Sequence, residues 1–541
     1  MRKTIIAISA LLLSVLNGAA QHVDTLTALH PEYQSTLPIG QTVPEIEATD
    51  TLGHTIRLSD YRGRYLVLDF WATWCGDCRR EIPFLKALHN DYRGASVQGK
   101  SLEWLSFSFD TKEESWKNIL RKEKFPWPQI SNLKSTREDQ TFKSYQLHWI
   151  PAFLIIDPEG KLVSTAITAD GLRKNIEALG AKAQSLSKNE AEEKRNEAIA
   201  DWYDSQRAVS ERVCSQSQCE VGGLKMPFSV KVFGEKPSDG RSLWISLHGG
   251  GNAPKALNDS QWENQKLLYQ PSEGVYVCPR APWDDWDMWF KNPIDNLYEQ
   301  LIRAMVVCYD VNPDKVYLMG YSAGGDGVWR MAPRMADHWA AASMMAGHPG
   351  DVNMLSLRNL PFMVWCGALD GAYDRNKECQ RRGEILDSLQ QADPEGYVHS
   401  THIVAGKPHW MDLEDSAALP WMAAYTRNPY PRCVKWVQGD NGRTHFYWIG
   451  VPQSETQKGK EIIVSIKGNT IDIEKCDYSQ VTFYLNDSLL NLDRPVKVRY
   501  NGKVILKQSL HRDGFTLRTT ISQRGDPSYC FPAKLTCKIG E

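Results

Sequence analysis

The chain has 541 residues, 42% of them apolar, with 63 basic and 65 acidic side chains and a formal net charge of −2. That length exceeds what one hydrophobic core serves, so about three or four domains are expected. The near-balanced charge, with no block of one sign, offers no field for a polyelectrolyte and excludes nucleic acid as a partner.

Met1-Arg2-Lys3, the apolar run from Ile5 to Leu16 and the small residues Gly18-Ala19-Ala20 read as a secretory signal peptide over residues 1–20. The run is too short to span a membrane. A periplasmic or secreted product is expected, with membrane contact only where the signal stays uncleaved. In an oxidising compartment the cysteines can pair, and Cys214 with Cys219 and Cys530 with Cys537 span the shortest intervals outside the motif described next.

Residues 37–60 read as leading strands, and the apolar run 65–70 as a buried strand ending at Trp74-Cys75-Gly76-Asp77-Cys78, which opens a helix. A cysteine at a helix start meets unpaired backbone N–H groups, so its thiolate, the attacking species, is favoured. Cys78, one turn on, can resolve a mixed disulfide. The plainer readings are a structural disulfide or half of a zinc site. A four-cysteine cage wants a second close pair, which Cys214 and Cys219 supply only loosely, so no metal site is expected. Further strands follow at 102–109 and 152–156, with a helix over 115–124 between them.

The stretch from Leu66 to Pro83 resembles the extracytoplasmic thioredoxin family, notably its TlpA-like and ResA-like reductases. The resemblance implies a thioredoxin-like fold over 37–182, with Cys75 and Cys78 as the redox pair and Trp74 beside them. It makes Asp69 a buried acid that takes a proton during turnover and Pro151 a cis-proline that helps receive the substrate backbone. Protein dithiols or disulfides and an upstream thiol electron donor are the implied partners, with no bound cofactor. By composition alone, Asp69 is equally a strand-end carboxylate and Pro151 a strand start. Asp77 replaces the proline common at that position, and a carboxylate there opposes a neighbouring thiolate, which leans the pair toward reducing others.

Residues 183–220 are a charged, proline-free helical linker. From 221 to 428 strands alternate with helices. One strand runs into His248-Gly249-Gly250-Gly251, where glycine lets backbone N–H groups approach a developing oxyanion. A second leads into Gly320-Tyr321-Ser322-Ala323-Gly324, whose order of strand, sharp turn and helix forms a nucleophile elbow. An acid and a histidine follow, Asp370 and His409, with Asp374 as the other candidate acid and His402 and His348 as ordinary histidines.

The region resembles α/β-hydrolases of the polyhydroxybutyrate-depolymerase and feruloyl-esterase-like group. By position this makes Ser322 the nucleophile, His409 the base, Asp370 its orienting acid, and Ala323 with Gly249 or Gly250 the oxyanion hole, acting on a small-molecule or glycan-linked ester. Trp283, Trp286 and Trp289 either wall a substrate pocket or pack a loop onto the sheet.

Beyond 429 the apolar period falls to two, and Asn501-Gly502 marks a hairpin turn, so 429–541 reads as a small β-sandwich-like domain. The expected fold class is α/β multidomain: thioredoxin-like, then α/β-hydrolase, then β-rich. Three functional readings follow: both sites active, a reductase with a hydrolase-like binding scaffold, or a hydrolase with a redox-sensing thioredoxin domain.

Overall fold

The computed structural model describes residues 33–540, so the signal segment expected at 1–20 lies outside the described residues. The chain forms two compact units. The first ends at Ala191 and takes in Asp513–Thr519; the second runs from Glu192 to Arg512 and resumes at Thr520. Among the described residues, no helix is long and apolar enough to cross a membrane.

The first unit is built on strands β1 (Glu47–Thr49), β2 (Thr55–Arg57), β3 (Tyr65–Trp71), β4 (Ser96–Val97), β5 (Lys100–Ser108), β6 (Gln129–Ser131), β7 (Ala152–Ile156) and β8 (Leu162–Ala166). Their order is β2-β1-β6-β5-β3-β7-β8, with β4 paired to β5. Strand β3 is the spine, parallel to β5 and antiparallel to β7. Every one of its residues is buried, and alternate side chains enter different clusters. Leu66, Leu68 and Phe70 join the cluster that holds Cys75 and Cys78; Tyr65 and Val67 join the one that holds Leu88, Trp104 and Trp127. The two-residue period of a strand therefore puts Asp69 on the Trp127 face.

Asp513–Thr519, grouped by sequence with the C-terminal strands, belongs to this first unit for a specific reason. Asp91 accepts the N–H groups of Gly514 and Phe515 at 2.9 and 2.8 Å, Asp513 pairs with the buried Arg173 at 2.9 Å, and Phe515 enters the hydrophobic cluster.

The second unit contains a sheet of β9 (Gln218–Val221), β10 (Leu224–Phe233), β11 (Arg241–Leu247), β12 (Gly274–Pro279), β13 (Val311–Tyr321), β14 (Ala341–Met345), β15 (Phe362–Gly367) and β16 (His399–Val404). Its order is β9-β10-β12-β11-β13-β14-β15-β16. From β12 to β16 all neighbours are parallel, and β9 and β10 are antiparallel. Connections leave the C-terminal ends of β11, β13, β15 and β16 at one end of the sheet, the usual place for a site in such architectures.

Two further sheets complete the unit. One has the order β17 (Cys433–Val437), β20 (Glu461–Lys467), β21 (Thr470–Cys476), β23 (Val496–Tyr500), β24 (Lys503–Gln508); the other has β18 (His445–Phe446), β19 (Ile449–Gly450), β22 (Gln480–Leu485), β25 (Ala533–Lys538). They share one continuous core with the eight-stranded sheet. Asn501 and Gly502, at φ of 49° and 76°, make the expected tight turn between β23 and β24.

Neither expected local disulfide forms. Cys214 lies on the helix Lys188–Gln216 with its thiol toward the Ala304 carbonyl at 3.7 Å, and Cys219 is buried in the core, while Cys530 and Cys537 are not joined. Many tryptophans are core, as bulky apolar side chains usually are: Trp71, Trp116, Trp329, Trp339 and Trp448 are fully buried.

Gly324 meets β11 so closely that an added Cβ would lie 2.1 Å from the Leu247 carbonyl oxygen. Gly324→Ala is therefore expected to destabilise the second unit by about 1–3 kcal/mol or more. Gly371→Ala, where nothing lies within 4 Å, is the control. Equal urea midpoints for the two variants would contradict this packing.

Candidate functional site

At the end of β3 the chain passes from a buried strand to the helix Gly76–Asp91, and Cys75 is its N-cap. The Cys78 N–H donates to Cys75 Sγ at 3.0 Å, and the two cysteines are joined as a disulfide with Cα atoms 5.3 Å apart. In the reduced state the same N–H and the helix N-terminus stabilise a Cys75 thiolate. Cys75 is 7% exposed and Cys78 2%, so Cys75 is the sulfur more open to attack. Cys75 Sγ also lies 3.5 Å from the carbonyl oxygen of Ile150, whose bond to Pro151 is cis. Trp74 and Trp149, 58% and 37% exposed, are the exposed aromatics next to these two segments in the chain.

Asp77 departs from the electrostatic role expected of it. It pairs with Arg80, both side chains are substantially solvated, and the neighbouring cation offsets its charge. Its opposition to a Cys75 thiolate is correspondingly weak.

Asp69 is the buried acid. Its Oδ2 accepts from Ser106 Oγ at 2.8 Å, and Ser106 Oγ accepts from Trp127 Nε1 at 2.7 Å. Oδ1 has no hydrogen-bond partner among the described residues. Burial pushes the carboxyl up to about 7, opposed by the Ser106 hydrogen bond and reinforced by the negative charge of Glu81. A carboxyl poised near neutrality can give and take a proton. Ser106 and Glu81 escaped the motif-based reading. Ser106 faces Asp69 only through the β3–β5 register, which a single sequence does not display.

In the second unit, Ser322 sits between β13 and the helix Ala323–Arg334 with φ 58° and ψ −122°, a conformation that costs a non-glycine residue about 1–3 kcal/mol. Its Oγ lies 3.0 Å from His409 Nε2, and His409 Nδ1 lies 2.7 Å from Asp370 Oδ2. Asp370 Oδ1 accepts from Arg375 at 2.7 Å. The same guanidinium nitrogen stands 3.3 Å from His409 Nδ1. An ionised carboxylate only accepts, so at 2.7 Å from Asp370 Oδ2 the Nδ1 atom carries the proton, which leaves Nε2 as the acceptor facing Ser322. Tyr321 fixes the histidine loop: its hydroxyl donates to the His409 carbonyl at 2.6 Å and accepts from the Met411 N–H at 3.1 Å.

Of the two candidate acids, Asp370 is the one at the histidine. Asp374 is exposed and pairs with Lys377 at 2.8 Å. His402 stacks on Trp365 with ring centroids 4.1 Å apart, and His348 Nδ1 accepts from the Gly350 N–H at 3.0 Å.

The glycine loop is held from below. Asn258, fully buried, accepts the Gly251 N–H at 2.8 Å and donates to Asp284 at 2.8 Å, and Asp284 pairs with Arg280. A Cβ on Gly250 would lie 2.1 Å from Asn258 Oδ1, and one on Gly249 would lie 3.2 Å from Ser322 Cβ. This brings the loop against the serine, with Ala323 as the first residue of the helix on the other side.

The tryptophans divide. Trp289 is fully buried and donates to the His248 carbonyl at 2.8 Å, so it supports the loop and walls no open space. Trp283 is half-buried against the core, and Trp286 is 60% exposed. The residue that sequence reasoning missed here is Arg375, one helical step beyond the ambiguous acids.

Comparison with known proteins bears on the first unit. Residues 39–165 match the AhpC/TSA family. The chain is 28% identical over 149 residues to the thiol-disulfide oxidoreductase ResA of Geobacillus kaustophilus, covering 27% of this chain and 80% of that one. It is 28% identical over 124 residues to ResA of Bacillus subtilis, covering 23% and 64%. Among solved structures, the thioredoxin domain of a thiol-disulfide oxidoreductase from Bacteroides vulgatus is 31% identical, covering 26% of this chain and 97% of that chain, with a TM-score of 0.24. Over residues 39–165, therefore, the chain carries a thioredoxin-fold thiol-disulfide oxidoreductase domain, ResA-like and matching the AhpC/TSA family.

Proposed function

We propose that this chain is an exported protein combining two chemistries, disulfide reduction at Cys75 and Cys78 and serine hydrolysis at Ser322. In this reading the thioredoxin-like domain covers 37–182, a helical linker 183–220, an α/β-hydrolase domain 221–428 and a β-rich domain 429–541. The observation that carries the hydrolase half is the strained Ser322 with its Oγ 3.0 Å from His409 Nε2.

In the redox step, the Cys75 thiolate attacks one sulfur of a protein disulfide and the other leaves as thiolate, forming a mixed disulfide. Cys78, its thiol proton passed to a base, then attacks Cys75 Sγ, releasing the second substrate sulfur and forming the Cys75–Cys78 disulfide. Asp69, near neutrality in its proton affinity, serves as that base. An upstream dithiol returns two electrons and two protons.

In the hydrolytic step, Ser322 Oγ attacks an ester carbonyl as its proton moves to His409 Nε2. Asp370, pinned by Arg375, holds the imidazole. The oxyanion is received by the Ala323 N–H and by that of Gly249 or Gly250, each donor worth about 2.7–4 kcal/mol in such sites. His409 protonates the leaving alcohol, and water then releases the acyl group.

A fluorophosphonate probe is expected to label the mature protein and its Cys75→Ala variant alike and to spare Ser322→Ala, while insulin-disulfide reduction is lost only in Cys75→Ala. Absence of labelling in the wild type sinks the hydrolase assignment. Labelling abolished by Cys75→Ala instead favours a redox-sensing role for the first domain.

Asp69 also sets a pH dependence. Its folded-state pKa of about 7 lies above the ordinary 3.8, so between those values the folded chain holds a proton the unfolded chain has released. Stability therefore falls as pH rises from about 4 to about 7, by about 4 kcal/mol at most from this group. Asp69→Asn is expected to flatten the slope in that window and to slow disulfide reduction. Asp91, also raised to about 7 by burial and by Asp513, contributes a slope of the same sign that the substitution leaves in place. Unfolding midpoints of the first unit at pH 4, 5.5 and 7 check this; identical slopes in the two proteins would rule it out.

A further inference from the structure

One cavity of the first unit plays no part in the chemistry above. It has a volume of about 630 Å³, within the range of small-molecule sites. Its apolar floor is Phe125 and Trp127 with Ile56 and Leu120, and its rim carries Lys117, Arg121 and Lys124.

One polar group beside it lacks a partner. Gln129 is more than nine-tenths buried, and its Oε1 accepts from Trp71 Nε1 at 3.1 Å. An indole only donates, so the amide cannot be turned round, and Nε2 must be a donor. That donor has no hydrogen-bond partner among the described residues. A buried unmade hydrogen bond costs about 1–3 kcal/mol, which an acceptor entering from the cavity would recover once the Gln129 amide swings toward it.

The rim favours a negative acceptor. Lys117 is paired with Glu113 and Arg121 with Glu114, while Lys124 has no ion pair among the described residues. The one lining acid, Asp50, is turned to its own loop, accepting from the Leu52 and His54 N–H groups at 2.8 and 2.9 Å and meeting the His54 ring. Flat aromatic walls and an excess of cations together match a planar aromatic ring bearing a carboxylate.

We propose that this cavity is a binding site for a small aromatic carboxylate, and that its occupancy is reported to Asp69. The report is built from two lining residues. Trp127 donates to Ser106, which donates to Asp69. Gln129 accepts from Trp71, two residues beyond Asp69 on the same strand. A ligand that shifts Trp127 or Gln129 changes the hydrogen bonding of the acid that handles the proton of the redox cycle.

The test is calorimetric titration of the full chain with 2-naphthoate and with its neutral counterpart 2-naphthylmethanol. The carboxylate is expected to bind at least about tenfold more tightly, as a charge-assisted hydrogen bond would provide. Arg121→Glu combined with Lys124→Glu should abolish that preference with the circular-dichroism spectrum unchanged; if the double variant is unfolded, Lys124→Ala, which removes one exposed cation, must reduce it. Equal affinity for acid and alcohol, no saturable binding at millimolar concentration, or a preference untouched in every folded variant would overturn the site. Saturating 2-naphthoate should also displace the pH profile of insulin-disulfide reduction, and an unmoved profile with ligand bound would overturn the link to Asp69.

Discussion

The passage from the buried end of a strand into a helix N-terminus is the constraint on which both candidate sites rest. It occurs after Trp71, where Cys75 caps the helix Gly76–Asp91, and after Tyr321, where Ser322 caps the helix Ala323–Arg334. In each case the strand cannot move, because its two neighbours and its two buried faces hold it. The helix supplies N–H groups that have no partner within the helix. A side chain at the junction is thus rigidly aimed and sits where negative charge is favoured. The cysteine uses this for a ground-state anion, the thiolate. In the proposed hydrolysis the serine would use it for a charge that develops on substrate, and its backbone is strained at that position.

The same residue type meets different surroundings at the two sites. Asp69 and Asp370 are both almost fully buried, 2% and 3% exposed. Asp69 has a neutral hydroxyl on one oxygen and, among the described residues, nothing on the other, so burial dominates and pushes the carboxyl up to about 7. Asp370 has a guanidinium on one oxygen and an imidazole on the other. Asp370 thus has a cation at hydrogen-bond distance, whereas the partner given to Asp69 is an uncharged hydroxyl.

Much of this architecture could be read from local pattern. Cys75 with Cys78, and Ser322 in its elbow, stand out because their local geometry is imposed by residues adjacent in the chain, while Asp370 and His409 could be read only by their order after the serine. What stayed hidden depends on register or on distant contact. Ser106 reaches Asp69 through strand pairing, and Trp127 reaches Ser106 from a loop. Trp289 could be read either as a pocket wall or as loop packing, and the distant His248 carbonyl under the glycine loop, which takes its N–H, holds it inside. Asp370 and Asp374 could not be separated by spacing. The chain settles the matter with left-handed backbone at Tyr373 and Asp374, which sends the second acid out to solvent and Lys377. The assignment of Asp513–Thr519 to the first unit was invisible for the same reason: it depends on Asp91 and Arg173, more than three hundred residues away in sequence.

These hidden contacts share a physical character. Each satisfies a buried polar group that the local motif alone would leave stranded: the Asp69 carboxyl, the His248 carbonyl, the Gly251 N–H, the Arg173 guanidinium. Burial without a partner costs more than most single contacts return. Wherever a reactive residue is pressed into the core by a strand-to-helix junction, a partner therefore has to be supplied from elsewhere in the chain. Gln129 Nε2 is a place where the described residues supply none, and because Gln129 lines a cavity with a cationic rim, a swing of its amide would let an acceptor from outside fill the omission.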